Sequence, residues 1–194
     1  LHSVDFQVIA DQMRTKDWVA IGTYMAEAGR NLEMAGAELL LLCTNTIHKV
    51  AADIETALDI PFLHIADAAA EVILQSGIST IGLLGTRLTM EEDFYRVRLR
   101  DRFGLTVIIP EPEDRALVDR VIFEELCLGK INPASKKAYE RIAASLAQNK
   151  AEGILLGCTE IALLLPPEEP ALRLFDTTRI HARKAVAVAL GDDQ

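Results

Sequence analysis

Two short stretches of this sequence end an apolar run in residues that can exchange protons. The first is Ala151-Glu152-Gly153-Ile154-Leu155-Leu156-Gly157-Cys158-Thr159-Glu160. Its apolar part has the length of a strand, and a helix-like pattern begins at Ile161, so Cys158 is expected where a strand stops and a helix starts. In a parallel α/β sheet that is the carboxyl edge, where ligands bind. A thiol there meets the positive end of a helix dipole, which favours the thiolate, a base for a weakly acidic C–H bond. An arbitrary strand-end cysteine more often only packs. A second copy of the motif changes that reading.

The second stretch is Ala37-Glu38-Leu39-Leu40-Leu41-Leu42-Cys43-Thr44-Asn45-Thr46. Matched without gaps from the shared Ala-Glu pair, it sets Thr44 opposite Cys158 and Cys43 opposite Gly157. Neighbouring side chains near a strand end point in opposite directions, so a Thr44 that faces a ligand implies a Cys43 turned toward the core. Two similar units facing one another suit a reaction whose substrate is nearly mirror-symmetric. Racemisation at a Cα is such a reaction. One group removes the proton from one face and the group opposite returns a proton to the other. Strand-end amides, hydroxyls and Asn45 bind the carboxylate and stabilise the enolate-like charge that develops.

The elements that must position these groups alternate along the chain. Leu1 to Phe6 reads as the tail of a strand, and Asp17 to Ala35 as a helix with Trp18, Ile21, Met25, Ala28 and Leu32 on one face. Leu39 to Leu42 is a buried strand, Thr46 to Leu58 a helix, Phe62 to Ile65 a strand and Ala68 to Ser76 a helix. From Gly77 a second series begins. Thr80 to Leu84 is a strand, and Thr89 caps a helix that runs to about Arg102. Leu105 to Ile109 is a strand, and Asp114 to Leu128 and Pro133 to Asn149 are helices. After Gly153 to Leu156, a proline-rich loop near 166–170 is expected to carry the chain back to the first unit. Leu172 to Phe175 is then a strand and Thr178 to Leu190 a helix. Alternating strands and helices predict an α/β fold of parallel sheets. The expected domains are 1–76 plus 171–194, and 77–170.

Composition removes several classes of function. The chain has 194 residues, half of them hydrophobic, with a net charge of −9 and no basic cluster, which argues against nucleic acid as a partner. No apolar run reaches the ~18 residues of a membrane span, and no signal peptide is visible. Three widely spaced cysteines point to free thiols in a reducing cytoplasm. The four histidines lack metal-ligand spacing with carboxylates or thiols, so no metal is expected. Gly82-Leu83-Leu84-Gly85 is not a dinucleotide fingerprint, and no cofactor is expected.

Gly157-Cys158-Thr159-Glu160, Asn45-Thr46-Ile47-His48, Leu83-Leu84-Gly85-Thr86 and the order of elements together resemble the cofactor-independent aspartate/glutamate racemases over nearly the whole chain. The Gly-Cys-Thr-Glu signature is similar to that of the aspartate-racemase branch. The resemblance implies two Rossmann-like parallel-sheet domains related by pseudo-twofold symmetry, an active site between them, and a homodimer. It implies Thr44 and Cys158 as the catalytic pair, as in the atypical L-aspartate/glutamate-specific racemases that pair one threonine with one cysteine. Cys158 would take the α-proton of the L-amino acid and Thr44 would serve the opposite face. Asn45, Thr46, Thr86, Thr89 and Thr159 fall on positions that bind substrate.

The sequence departs from the family pattern in three places. Threonine stands at the first catalytic cysteine position. Cys127 stands where typical aspartate racemases have a substrate-binding lysine, and their arginine, expected near Phe6 to Asp11, is absent. Family members also begin with a strand and a glycine-rich loop ahead of the segment corresponding to Leu1. The expected partner is a small amino acid with an acidic side chain. A broad-specificity amino-acid racemase, a hydantoin racemase, a maleate isomerase and a binding homologue without turnover stay open. Glu160 is read as orienting Thr159 or opening a helix, not as catalytic. His48, His64 and Asp67 are read as supporting residues, and Cys127 as packing on a helix.

Overall fold

The computed structural model describes residues 1–166 and 173–192, and in it the apolar runs become two parallel sheets. The chain divides into two compact units. One comprises Leu1–Leu42 and Ile47–His64, the other Cys43–Thr46 and the chain from Ile65 onward.

The first unit opens with helices α1 (Phe6–Thr15) and α2 (Trp18–Met34). Residues 1–5 are irregular rather than extended. The expected strand fails because Asp5 caps α1, its carboxylate accepting from the Gln7 amide at 2.9 Å, and Ile9 then turns inward one helical turn later. Asp17 caps α2 in the same way, accepting from Ala20 N at 3.0 Å. Strands β1 (Leu40–Leu41) and β2 (Phe62–Leu63) pair in parallel. Between them the expected single helix begins as a 3-10 turn, Thr46–Val50, and continues as α3 (Ala51–Ala57). Ile9, Ile21, Met25, Leu40, Ile47, Val50 and Ile54 form this unit's core.

The second unit holds a four-stranded parallel sheet in the order β4-β3-β5-β6, built from β3 (Thr80–Gly85), β4 (Thr106–Ile108), β5 (Gly153–Gly157) and β6 (Leu174–Asp176). The two central strands are buried along almost their whole length. That is what a parallel sheet covered on both faces demands of its sequence, and it explains the unbroken apolar runs. Helices α4 (Ile65–Gln75), α6 (Asp93–Phe103), α7 (Pro112–Glu124), α8 (Pro133–Gln148) and α10 (Thr177–Leu190) belong to the same unit. Burying one large aliphatic side chain contributes roughly 1.5–3 kcal/mol, so the cluster of Ile81, Leu83, Leu84, Leu99, Ile142, Ile154, Leu155 and Leu156 dominates stability here.

Several boundaries differ from expectation for identifiable reasons. Thr89 does not cap a helix; Thr86 does, accepting from Thr89 N at 3.3 Å, and starts the short α5 (Arg87–Glu91). Glu92 is extended and separates α5 from α6. Helix α7 begins at Pro112, whose fixed φ suits a first helical position, and a 3-10 turn, Leu126–Leu128, comes after it. Strand β6 pairs with β5, so the chain end completes the second sheet rather than returning to the first. Helix α4 likewise packs on α6 and α10, so the observed division falls after His64, not after 76. Most of the proline-rich loop, and Leu172, lie outside the described residues.

Gly85 and Gly157 are register partners at the carboxyl ends of β3 and β5. A Cβ on Gly85 would lie 2.9 Å from the Gly157 carbonyl, and one on Gly157 would lie 3.1 Å from the Leu84 carbonyl. The obstacle at Gly85 is backbone and cannot give way, so this close approach needs glycine there; at Gly157 the nearest atom is the movable end of Leu83, Cδ1 at 2.9 Å. Gly85→Ala should therefore lower stability by about 1–3 kcal/mol, the usual cost of forcing an extra methyl into a packed region. The urea unfolding midpoint checks this.

Candidate functional site

The register that pairs Gly85 with Gly157 brings the next residues, Thr86 and Cys158, to the same edge of the sheet. Cys158 is half-buried, and its Sγ–H donates to Glu160 Oε2 at 2.9 Å. Its pKa is pushed far above the ordinary thiol value, first by burial and then by the negative charge of Glu160 and the hydrogen bond to it. The thiolate expected from a helix dipole is thus not the resting state. The next helix, α9 (Ile161–Leu164), has a single turn, so few peptide dipoles align behind the sulfur. Burial, and after it the carboxylate two residues away, outweigh that dipole. The arrangement is a thiol aimed at a carboxylate, and moving that one proton onto Glu160 generates the thiolate.

A second cluster joins Thr46, Thr86 and Thr89. Their hydroxyls lie 2.9 Å (Thr46 to Thr86), 3.3 Å (Thr46 to Thr89) and 3.1 Å (Thr86 to Thr89) apart, and all three are buried. Each hydroxyl has one proton and two lone pairs, so the triangle can reorient to donate toward an anion without leaving its members unpaired. Beside it, Asn45 is held at both ends of its amide. Tyr95 OH donates to Asn45 Oδ1 at 2.8 Å, and Asn45 Nδ2 donates to Thr177 Oγ1 at 3.0 Å. Thr177 in turn donates to the Leu156 carbonyl of β5 at 2.8 Å.

Of the residues singled out from the sequence, Thr46, Thr86 and Thr89 thus meet through hydrogen bonds, while Asn45, next to Thr46 in the chain, bonds Tyr95 and Thr177 instead. Thr159 is half-buried next to Cys158. Thr44 is half-buried in the irregular segment after β1 and belongs to the same compact unit as Cys158. Cys43 is exposed, not turned into the core, because β1 ends at Leu41 and strand alternation no longer governs its direction. Cys127 is also exposed, in the 3-10 turn after α7 rather than packed on a helix. Its pKa is raised by desolvation and then by the charge of Glu160, so it lies within electrostatic reach of that carboxylate.

His48 and His64 are both buried in the first unit, their rings edge-to-face at 4.3 Å between centroids, with Phe62 beside them. Asp67 pairs with Arg98 at 2.7 Å and Arg102 at 3.2 Å, an ion pair joining α4 to α6. Among the described residues no group of three or more His, Cys, Asp and Glu is placed to hold a metal ion, and no helix is long and apolar enough to cross a membrane. Three participants are not apparent as such from sequence. Glu160 carries a signal, a carboxylate two positions after the thiol. Thr177 offers a weaker one, a hydroxyl directly after a strand. Tyr95 offers none, because nothing local distinguishes a tyrosine whose hydroxyl meets an amide fifty residues away.

The family described as Asp/Glu/hydantoin racemase matches residues 1–185. A glutamate racemase of Chlorobaculum tepidum is 25% identical over 180 residues, covering 88% of this chain and 64% of that protein. The chain therefore spans less than two thirds of the length of that curated relative. A Yersinia pestis protein solved as a candidate Asp/Glu racemase is 49% identical with a TM-score of 0.90, covering 97% of this chain and 82% of that one. An aspartate racemase homologue from Pyrococcus horikoshii OT3 is 36% identical with a TM-score of 0.78, covering 87% of this chain and 74% of that one.

If Glu160 holds the Cys158 proton in place, Glu160→Gln removes the negative charge that helps raise the thiol pKa. Alkylation of Cys158 by iodoacetamide, resolved from Cys43 and Cys127 by peptide mass spectrometry, should then begin at lower pH. A shift of about one pH unit or more is expected from losing a neighbouring like charge. An unchanged pH profile would remove Glu160 from the account.

Proposed function

The chain belongs to the Asp/Glu/hydantoin racemase family, and from that premise we propose that it is a cofactor-independent amino-acid racemase acting on L-aspartate and L-glutamate. Cys158 and Thr44 serve opposite faces of the substrate Cα. The observation that carries the reading is the Cys158 Sγ–H aimed at Glu160. A proton leaves the thiol for Glu160, the thiolate takes the α-proton of the L-enantiomer, and a proton supplied from the Thr44 side, directly or through water, completes inversion. Asn45 and the hydroxyls of Thr46, Thr86, Thr89 and Thr159 are the donors proposed to hold the substrate carboxylate while charge builds on it.

A hydroxyl is a weaker acid than a thiol, so Thr44 is a poor base for the D-enantiomer. Enantiomers have equal free energy, so the equilibrium constant is one and kcat/KM must be equal in the two directions. The asymmetry therefore belongs in kcat and KM, which fall together for D-to-L turnover. Cys158→Ala should abolish exchange of the substrate α-proton for solvent deuterium, followed by proton NMR on L-glutamate and L-aspartate. Thr44→Cys should raise kcat for the D-to-L direction. A Thr44→Cys protein whose kcat ratio between directions equals that of the parent would contradict the role given to Thr44.

One observation favours a wider substrate range. Cys127, an exposed thiol, stands where the aspartate racemases have a substrate-binding lysine, so that position supplies no cation for a second substrate carboxylate. Initial rates on a panel of neutral and acidic L-amino acids, hydantoins and maleate separate a broad racemase or isomerase from an aspartate/glutamate enzyme. Calorimetric binding of aspartate without loss of optical rotation marks a binding homologue.

A further inference from the structure

The polar chain that runs through Asn45 has a direction, and the strand sets it. The Leu156 carbonyl can only accept, so Thr177, 2.8 Å away, spends its single proton there. Thr177 Oγ1 must then accept from Asn45, which puts the NH2 end of the amide toward it at 3.0 Å. The other end, Oδ1, is left toward Tyr95 at 2.8 Å, and an amide oxygen can only accept, so Tyr95 must donate. Tyr95 is fully buried, and burial together with the charge of Asp67 raises its pKa, which keeps the phenol protonated. Turning the amide over would break this order, since the amide oxygen would face a Thr177 whose only proton is already committed to Leu156. In a buried setting, leaving such a group unpaired is costly.

We propose that Tyr95 and Thr177 are positioning residues that lock the Asn45 amide one way round, so that its second N–H is kept as the donor to a substrate carboxylate. The inference rests on the reading of Asn45 as a substrate ligand. It adds that the ligand is aimed by β5 itself, at a carbonyl two residues before Cys158. Amide and thiol are thereby indexed to the same strand end. Without the lock an asparagine can offer its oxygen, which repels a carboxylate, as readily as its nitrogen.

The test uses the full chain with Tyr95→Phe, Thr177→Val and Thr177→Ser. Tyr95→Phe and Thr177→Val should each raise KM for L-glutamate and L-aspartate about tenfold, the usual effect of losing one oriented hydrogen bond. Thr177→Ser, which keeps the hydroxyl, should bring KM back toward the parent value. A merely structural role would lower the folded fraction and with it the apparent kcat, leaving KM alone. Independently of turnover, the Asn45 side-chain amide protons, followed by nitrogen-edited NMR, should exchange with solvent faster in Tyr95→Phe and Thr177→Val than in the parent. Unchanged KM in both folded variants, or equal amide exchange in parent and variants, overturns the lock. A parent chain that turns over neither amino acid overturns the racemase reading instead, and amide exchange alone then decides the lock.

Discussion

The parallel pairing of β3 with β5 is the constraint on which everything at the candidate site depends. Five consecutive register pairs end at Gly85 and Gly157, where the backbone of β5 leaves no room for a Cβ on Gly85. The residue after each glycine is functional in type: a threonine that caps a helix on one strand, a cysteine on the other. A one-residue slip would turn every side chain of a strand to the opposite face, and the buried aliphatics on both faces forbid it. The same interactions that stabilise the sheet therefore fix which two residues emerge at its carboxyl edge.

The buried polar groups at that edge form two sets. The three threonine hydroxyls satisfy one another, and the Tyr95, Asn45, Thr177 and Leu156 groups form a directed chain. A polar group left without any partner in a low-dielectric interior is costly, so each member of these sets is held by at least one of the others. Cys43–Thr46 come after β1 in sequence yet belong to the compact unit that carries Tyr95, Thr177 and the second sheet. Hydrogen bonds of Asn45 and Thr46, rather than apolar packing, are what hold this segment there.

Sequence reasoning reached the elements whose signal is periodic burial. The central strands, α2, α8 and α10 are all within a residue or two of expectation because apolar spacing alone determines them. It failed where a cap or a pairing choice decided the outcome. Asp5 converts an apparent strand into α1, and Glu92 divides one expected helix into α5 and α6. The partner of β6 could not be read at all, since a three-residue strand carries no mark of which sheet accepts it. At the site, an internal repeat aligned Thr44 with Cys158 in sequence, whereas the state of the thiol was not legible there. The helix dipole and Glu160 are both visible in sequence, but the burial of the sulfur and the direction of the carboxylate, which together outweigh the dipole, are set only by the fold.

The raised thiol pKa makes chemical sense for a proton-transfer site. A cysteine that rested as thiolate would carry an unpaired negative charge beside Glu160 and would repel an anionic substrate before it arrived. Held as a thiol, it leaves one negative charge at this end rather than two. Glu160 is thus more than the residue that precedes α9: its charge and its hydrogen bond add to burial in holding the sulfur as a thiol.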